Sequence, residues 1–171
     1  MQKQIKALLL SAGLGTRLRP LTFDTPKCLI KINNKPILEY WLDSLERIGC
    51  DSTIINTHYL HEKVSVFLKN RKNKKMLIKE IYEEKLLGTA GTLIKNKEFF
   101  DNSLGLLIHA DNITDTNLKY FIKAHINRPD DCILTMLTFN SCNPSQCGIV
   151  QKDSLGRLIS FLEKNPNPIG N

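Results

Sequence analysis

The 171-residue sequence contains no C-x-x-C pair, no G-x-x-x-x-G-K-[ST] segment and no apolar run long enough to span a bilayer, and only 7% of it is aromatic. Each absence removes a class. Five scattered cysteines (Cys28, Cys50, Cys132, Cys142, Cys147) are odd in number, which fits neither a complete disulfide frame nor a zinc knuckle and points to reduced thiols and a cytoplasmic protein. The missing lysine-serine loop excludes the P-loop class. Only a short apolar stretch, Ala7 to Leu10, follows the charged start, so neither a signal peptide nor a membrane anchor is expected. No Ser-His-Asp or Cys-His arrangement stands out, which leaves covalent catalysis without a nucleophile. His58 and His61 lack a third ligand nearby and do not read as a zinc site. Lys69 to Lys75 carries five cations but no aromatic residue, the pattern of a solvated loop between a helix and a strand rather than a nucleic-acid platform.

What remains is ordinary globular composition, 42% apolar and 24% charged, with a formal net charge of +7 that favours anionic partners. Apolar runs alternate with segments of helical period. Strands are expected at Lys6 to Leu10, Ser52 to Asn56, Met76 to Tyr82 and Ser103 to His109, with a further β-rich stretch at Cys132 to Thr138. Helices are expected at Pro36 to Ile48, His61 to Leu68, Gly88 to Asn96 and Asn117 to Asn127, the first with Ile37, Leu38, Trp41, Leu42, Leu45 and Ile48 on one stripe. This order predicts an α/β fold of βαβ units, a mostly parallel sheet with helices on both faces. Beyond Asn140, two short strands, Gly148 to Lys152 and Leu158 to Glu163, frame an Asp153 to Gly156 turn and predict a hairpin.

The loop after the first strand sets Gly13 and Gly15 beside Arg17, Arg19 and, behind Pro26, Lys27. In α/β sheets this loop cradles phosphate, since glycine lets backbone N–H groups approach the oxygens closely. Leu18 replaces the third glycine of a dinucleotide fingerprint, and no helical stripe follows directly, so that class fails too. Bare backbone with two cations suits a triphosphate.

The stretch Leu10-Ser11-Ala12-Gly13-Leu14-Gly15-Thr16-Arg17-Leu18-Arg19-Pro20-Leu21-Thr22, with Pro26-Lys27, resembles the signature of the sugar-1-phosphate nucleotidyltransferases, or NDP-sugar pyrophosphorylases. Glu84-Lys85-Leu86-Leu87-Gly88-Thr89-Ala90-Gly91, Gly148-Ile149-Val150 and Phe161-Leu162-Glu163-Lys164 continue the resemblance in order, and the G-T-A-G version is similar to the mannose-1-phosphate guanylyltransferases. It implies a three-layer α/β/α, Rossmann-like nucleotidyltransferase fold whose mostly parallel sheet is mixed. Residues 1–140 would form the nucleotide-binding core and 141–171 the start of the sugar-phosphate part, with the family's later segment and its second metal aspartate expected to be missing and turnover by these residues alone expected to be weak or nil. The implied reaction joins a sugar 1-phosphate to a nucleoside triphosphate, GTP first, with Mg²⁺ and release of pyrophosphate. By resemblance Arg17, Lys27 and Asp111 are catalytic, and Asp111 holds the metal, with Ala110 where the family has glycine. Leu10, Ala12, Gly13, Gly15, Thr16, Glu84, Gly88 and Thr89 bind the nucleotide, while Gly148, Glu163 and Lys164 bind the sugar phosphate. Cytidylyl or uridylyl transfer, to choline phosphate or another sugar phosphate, and a non-catalytic regulatory domain of the same fold stay open. Homo-oligomers are common in the family; no nucleic-acid or membrane partner is expected.

Overall fold

The structure, a computed structural model, describes residues 3–72 and 75–163. Its residues group into two compact units, Met1–Tyr120 and Phe121–Asn171.

The first unit is built on a four-stranded parallel sheet in the order β5-β4-β1-β6, formed by β1 (Gln4–Leu10), β4 (Ser52–Thr57), β5 (Leu77–Tyr82) and β6 (Ser103–His109). Parallel neighbours need crossover connections. Three helices supply them: α1 (Ile37–Arg47) between β1 and β4, α2 (His61–Asn70) between β4 and β5, and α3 (Gly88–Lys95) between β5 and β6. The strands and helices expected up to His109 are therefore present to within a few residues. Among the described residues antiparallel pairing is confined to two small hairpins, one of them β2 (Lys31–Ile32) with β3 (Lys35–Pro36). Asn33 and Asn34 form its turn at φ 50° and 64°, a left-handed pair that asparagine tolerates better than most residues.

The core sits between β1, β4 and α1. Ala7, Leu8 and Leu9 of β1 and Ile54 and Ile55 of β4 are buried, as expected of strands covered on both faces. Opposite them α1 buries Ile37, Leu38, Trp41, Leu42 and Leu45, the predicted stripe, each large side chain contributing about 1.5–3 kcal/mol over exposure. Glu39 in the first turn and Arg47 in the last suit the helix dipole, and Gly49 at φ 75° ends the helix.

Two expectations are corrected. Arg71 is not part of a solvated loop: its side chain is 2% exposed and binds Glu39, Asp43 and Glu46 of α1 at 3.0, 3.1 and 2.7 Å. Lys35 also pairs with Asp43. The run of cations is local in the sequence, whereas the acidic stripe on α1 that neutralises one of them lies 25 to 32 residues earlier. Second, Cys132 to Thr138 forms no strand, and Ile133 and Leu134 are 89% and 68% exposed. β-Branched composition favours a pleated, half-buried surface but does not create one without a neighbour to complete the ladder.

The second unit carries the predicted hairpin, β7 (Gly148–Lys152) with β8 (Leu158–Glu163), at the expected boundaries. Asp153 Oδ1 accepts hydrogen bonds from the Leu155 and Arg157 N–H groups, and Gly156 takes φ 79°. A fourth α-helix, α4, spans Leu118–Ile126, its first three residues belonging to the first unit. Among the described residues no helix is long and apolar enough to cross a membrane.

Candidate active site

In the order β5-β4-β1-β6 the chain leaves β1 toward β4 and returns to the opposite side at β6, so a topological switch point lies at the carboxyl ends of β1 and β6, where ligands of open α/β sheets gather. The register is direct. Leu10 stands opposite His109, and the Ala110 N–H donates to the Leu10 carbonyl at 3.0 Å. Ala110 is fully buried there, so the position accepts its methyl group. This pairing sets the glycine loop after β1 beside Asp111 after β6.

Between them lies a cavity of about 290 Å³ whose lining includes Gly13, Gly15, Thr16, Arg17, Lys27 and Asp111. Lys27 opens a single helical turn behind the buried Pro26 and reaches Asp111 Oδ2 with Nζ at 2.5 Å, across 84 residues of sequence. The side chains remain 23% and 32% exposed, so this pair can open toward a ligand. Arg17 is exposed in the turn Thr16–Leu18 and makes no ion pair with another described residue. Arg19 lies over the Phe23 ring at 5.3 Å. Trp41 ties down the segment that carries Asp111, its indole N–H donating to the carbonyl of the next residue, Asn112, at 2.8 Å. Sequence reading saw Trp41 only as core. Its polar atom is a separate signal, because a buried indole N–H needs an acceptor.

The loop is braced from below. Gly15 has φ 66°, and Thr22, fully buried, donates its hydroxyl to the Gly15 carbonyl at 2.7 Å. A Cβ at Gly15 would lie 2.9 Å from Thr22 Cγ2, whereas one at Gly13 would meet nothing within 4 Å. Gly15→Ala is therefore expected to lower stability by about 1–3 kcal/mol, while Gly13→Ala leaves the melting temperature nearly unchanged. Thermal denaturation of both variants checks the contrast.

Cys28, next to Lys27, is 1% exposed, and burial pushes its thiol up to about 12. It stays protonated near neutral pH and supplies no nucleophile.

The other expected residues are placed as follows. Leu10 ends β1 and Ala12 is buried, both at the base of the glycine loop. Glu84 is exposed and lines a separate cavity of about 540 Å³ with Tyr82, Lys85, Leu87 and Lys95. Gly88, at φ 71°, and Thr89 are exposed in the first turn of α3. The neighbouring Glu83 was missed, though it is 3% exposed. In the second unit Gly148 pairs with Glu163, and a Cβ on Gly148 would lie 2.6 Å from Phe161 Cζ and 3.0 Å from Glu163 Oε2. Packing against Phe161 thus already requires glycine at 148. Lys164 lies outside the described residues. His58 sets Nδ1 2.7 Å from the Glu83 carbonyl and, with His61, contacts the Tyr82 ring. Among the described residues no group of three or more His, Cys, Asp or Glu is placed to hold a metal ion.

The chain matches the family model for nucleotidyl transferase over residues 6–169. It is 34% identical, over 97% of its length, to the mannose-1-phosphate guanylyltransferase catalytic subunit beta of Drosophila melanogaster, covering 45% of that protein. It is 32% identical, over 94% of its length, to a UTP–glucose-1-phosphate uridylyltransferase of Synechocystis, covering 44% of it. The chain thus spans less than half the length of these curated relatives. The crystal structure of HddC from Yersinia pseudotuberculosis complexed with GMP-PN superposes with a TM-score of 0.72 at 23% identity, covering 93% of this chain and 69% of that one, a likeness of fold.

Proposed function

This chain belongs to the nucleotidyl transferase family, and from that premise we propose that it serves transfer of a nucleotidyl group from a nucleoside triphosphate, GTP first, to a sugar 1-phosphate. The observation that carries this reading is the convergence of Arg17, Lys27 and Asp111 with glycine backbone in one cavity at the switch point.

A sugar-phosphate oxygen attacks the α-phosphorus in line. The new O–P bond forms as the bond to the β-phosphate oxygen breaks, and pyrophosphate leaves with that electron pair. The attacking monoester is already ionised near neutral pH, its second pKa being about 6, so no general base is required. Rate then comes from positioning and charge neutralisation. Lys27 turns from Asp111 to the α-phosphate, Arg17 meets the β and γ phosphates, and the backbone of Gly13, Gly15 and Thr16 donates to their oxygens.

A single carboxylate at Asp111 suits Mg²⁺, which typically uses one or two carboxylates together with substrate phosphates and water. When bound, the ion would neutralise charge on the phosphate oxygens. Glu84, Gly88 and Thr89 would read the base, and Gly148, Glu163 and Lys164 the sugar phosphate, with residues 1–140 the nucleotide core and 141–171 opening the sugar part. Five free thiols favour a cytoplasmic setting.

Melting temperature with Mg²⁺ and each of GTP, UTP, CTP, dTTP and ATP tests the reading. A ligand held only by the folded state at 100 times its Kd adds about 2.7 kcal/mol. GTP is expected to give the largest rise. The largest rise with UTP instead would favour uridylyl transfer, the second reading supported by the Synechocystis relative. No rise with any of the five counts against nucleotide binding by this chain.

A further inference from the structure

Behind the two loops assigned to the nucleotide lies a buried polar cluster that the transfer chemistry does not use. Asn56, Glu83 and Thr92 are 3%, 3% and 1% exposed. Glu83 Oε1 accepts from Asn56 Nδ2 at 3.1 Å and from the Thr92 hydroxyl at 2.6 Å, and Oε2 accepts from the Leu87 N–H at 3.2 Å. Asn56 Nδ2 also reaches Thr92 Oγ1 at 3.3 Å. On its other side Asn56 Oδ1 accepts from the Ser11 N–H at 2.8 Å, and the Ser11 hydroxyl returns a bond to the Asn56 carbonyl. Only one orientation of the Asn56 amide satisfies both neighbours, its oxygen toward a backbone donor and its nitrogen toward a carboxylate.

Ser11 lies two residues before Gly13, and Leu87 immediately precedes Gly88. A continuous path of hydrogen bonds therefore joins the entrance of the glycine loop to the turn that opens α3. Mere filling of this space would favour apolar side chains, since a buried carboxyl must recover lost hydration from its partners. Glu83 recovers it from groups on two separate loops.

We propose that Asn56 and Glu83 are positioning residues that lock the glycine loop and the Leu87-Gly88 turn into one geometry, so that disturbing either loop loosens the other. The identity of what the loops hold rests on the nucleotide-binding reading; the coupling itself is measured without ligand.

The experiment is hydrogen exchange by mass spectrometry on the ligand-free chain and on Glu83→Gln, Asn56→Asp and the double variant. Glu83→Gln sets an amide nitrogen against donors, and Asn56→Asp sets two carboxylates face to face. In the double variant the aspartate at 56 still accepts from Ser11, while glutamine at 83 donates to it and keeps an oxygen for Leu87. Each single variant should exchange about tenfold faster in peptides covering residues 11–18 and 87–91 alike, from loss of a buried hydrogen bond. The double variant should return both to within about threefold of the parent, as coupled sites do. Faster exchange at one loop alone, a uniform rise across the first unit, or no recovery in the double variant overturns the proposal. Thr92→Val, which keeps the Asn56 and Leu87 bonds, gives the same paired signature at smaller amplitude and serves if a single carboxyl or amide variant does not fold. A parent chain that shows the exchange coupling but no nucleotide-dependent rise in melting temperature would refute the nucleotide reading and leave the coupling standing.

Discussion

Arg71→Ala is expected to destabilise the first unit by about 3–5 kcal/mol, the cost of leaving a buried charged group without its partner. That is a large share of a net stability of roughly 5–15 kcal/mol. Arg71 meets Glu39, Asp43 and Glu46, three carboxylates on one face of α1, and Glu46 is itself only 6% exposed. Without the guanidinium these like charges confront one another. The variant's pH dependence gives a second check. Burial already pushes the Glu39 carboxyl above its usual range against the pull of Arg71, with Asp43 adding to the rise. Removing Arg71 raises it further, so the folded variant holds a proton that the unfolded chain releases. Stability of such a group falls as pH rises through its folded pKa. The deficit should therefore narrow as pH drops from neutral toward the glutamate range. Asp43 behaves oppositely in the parent: burial opposes its charge, but Lys35 and Arg71 together hold its carboxyl low, and that stability is lost in acid. Denaturant melts of parent and variant at several pH values measure both effects. Arg71→Lys should recover only part of the loss, because an ammonium cannot match three carboxylates with a planar fork of donors.

The second large effect is at the ion pair in the cavity. Lys27→Ala removes a charge-assisted contact worth about 1.5–3 kcal/mol, so nucleotide binding should weaken about 10- to 100-fold with or without Mg²⁺. Asp111→Asn should act in the other direction when the metal is chelated. It frees Lys27 from its 2.5 Å partner and removes a negative charge facing the phosphates, so metal-free GTP should bind at least as well as to the parent. The gain that Mg²⁺ gives the parent should disappear in this variant. Calorimetric titration of both variants with GTP, in Mg²⁺ and in chelator, reads the opposite signs. Equal weakening by both substitutions under chelation would mean that the pair serves to shape the loop and does not hold the anion.

How much of this was legible in the sequence follows from the range of each signal. Local periodicity located α1, since Ile37, Leu38, Trp41, Leu42 and Leu45 are a stripe within one helix. Turn chemistry located the β7–β8 hairpin for the same reason. Cys132 to Thr138 failed because a ladder needs a second segment, which composition does not reveal. The glycine loop could be read as an anion cradle from its residues, but its meeting with Asp111 depends on the register of Leu10 with His109. Arg71 was misread because its partners lie 25 to 32 residues earlier. The burial of Glu83 is not legible locally: strand alternation would set it on the face of the exposed Leu77 and Lys79, and its partners Asn56 and Thr92 lie 27 and 9 residues away.

Thr22 beneath Gly15 has a consequence for affinity. A glycine-rich loop is ordinarily costly to order, and fixing one residue's backbone takes roughly 1–2 kcal/mol of conformational entropy at room temperature. Here the Gly15 carbonyl is already held by the Thr22 hydroxyl and accepts the Leu18 N–H at 3.0 Å. The loop's freedom is thus lost when the chain folds, and an incoming anion meets donors already ordered instead of a segment that must first be stilled. A threonine that touches no ligand would then set how tightly one is held.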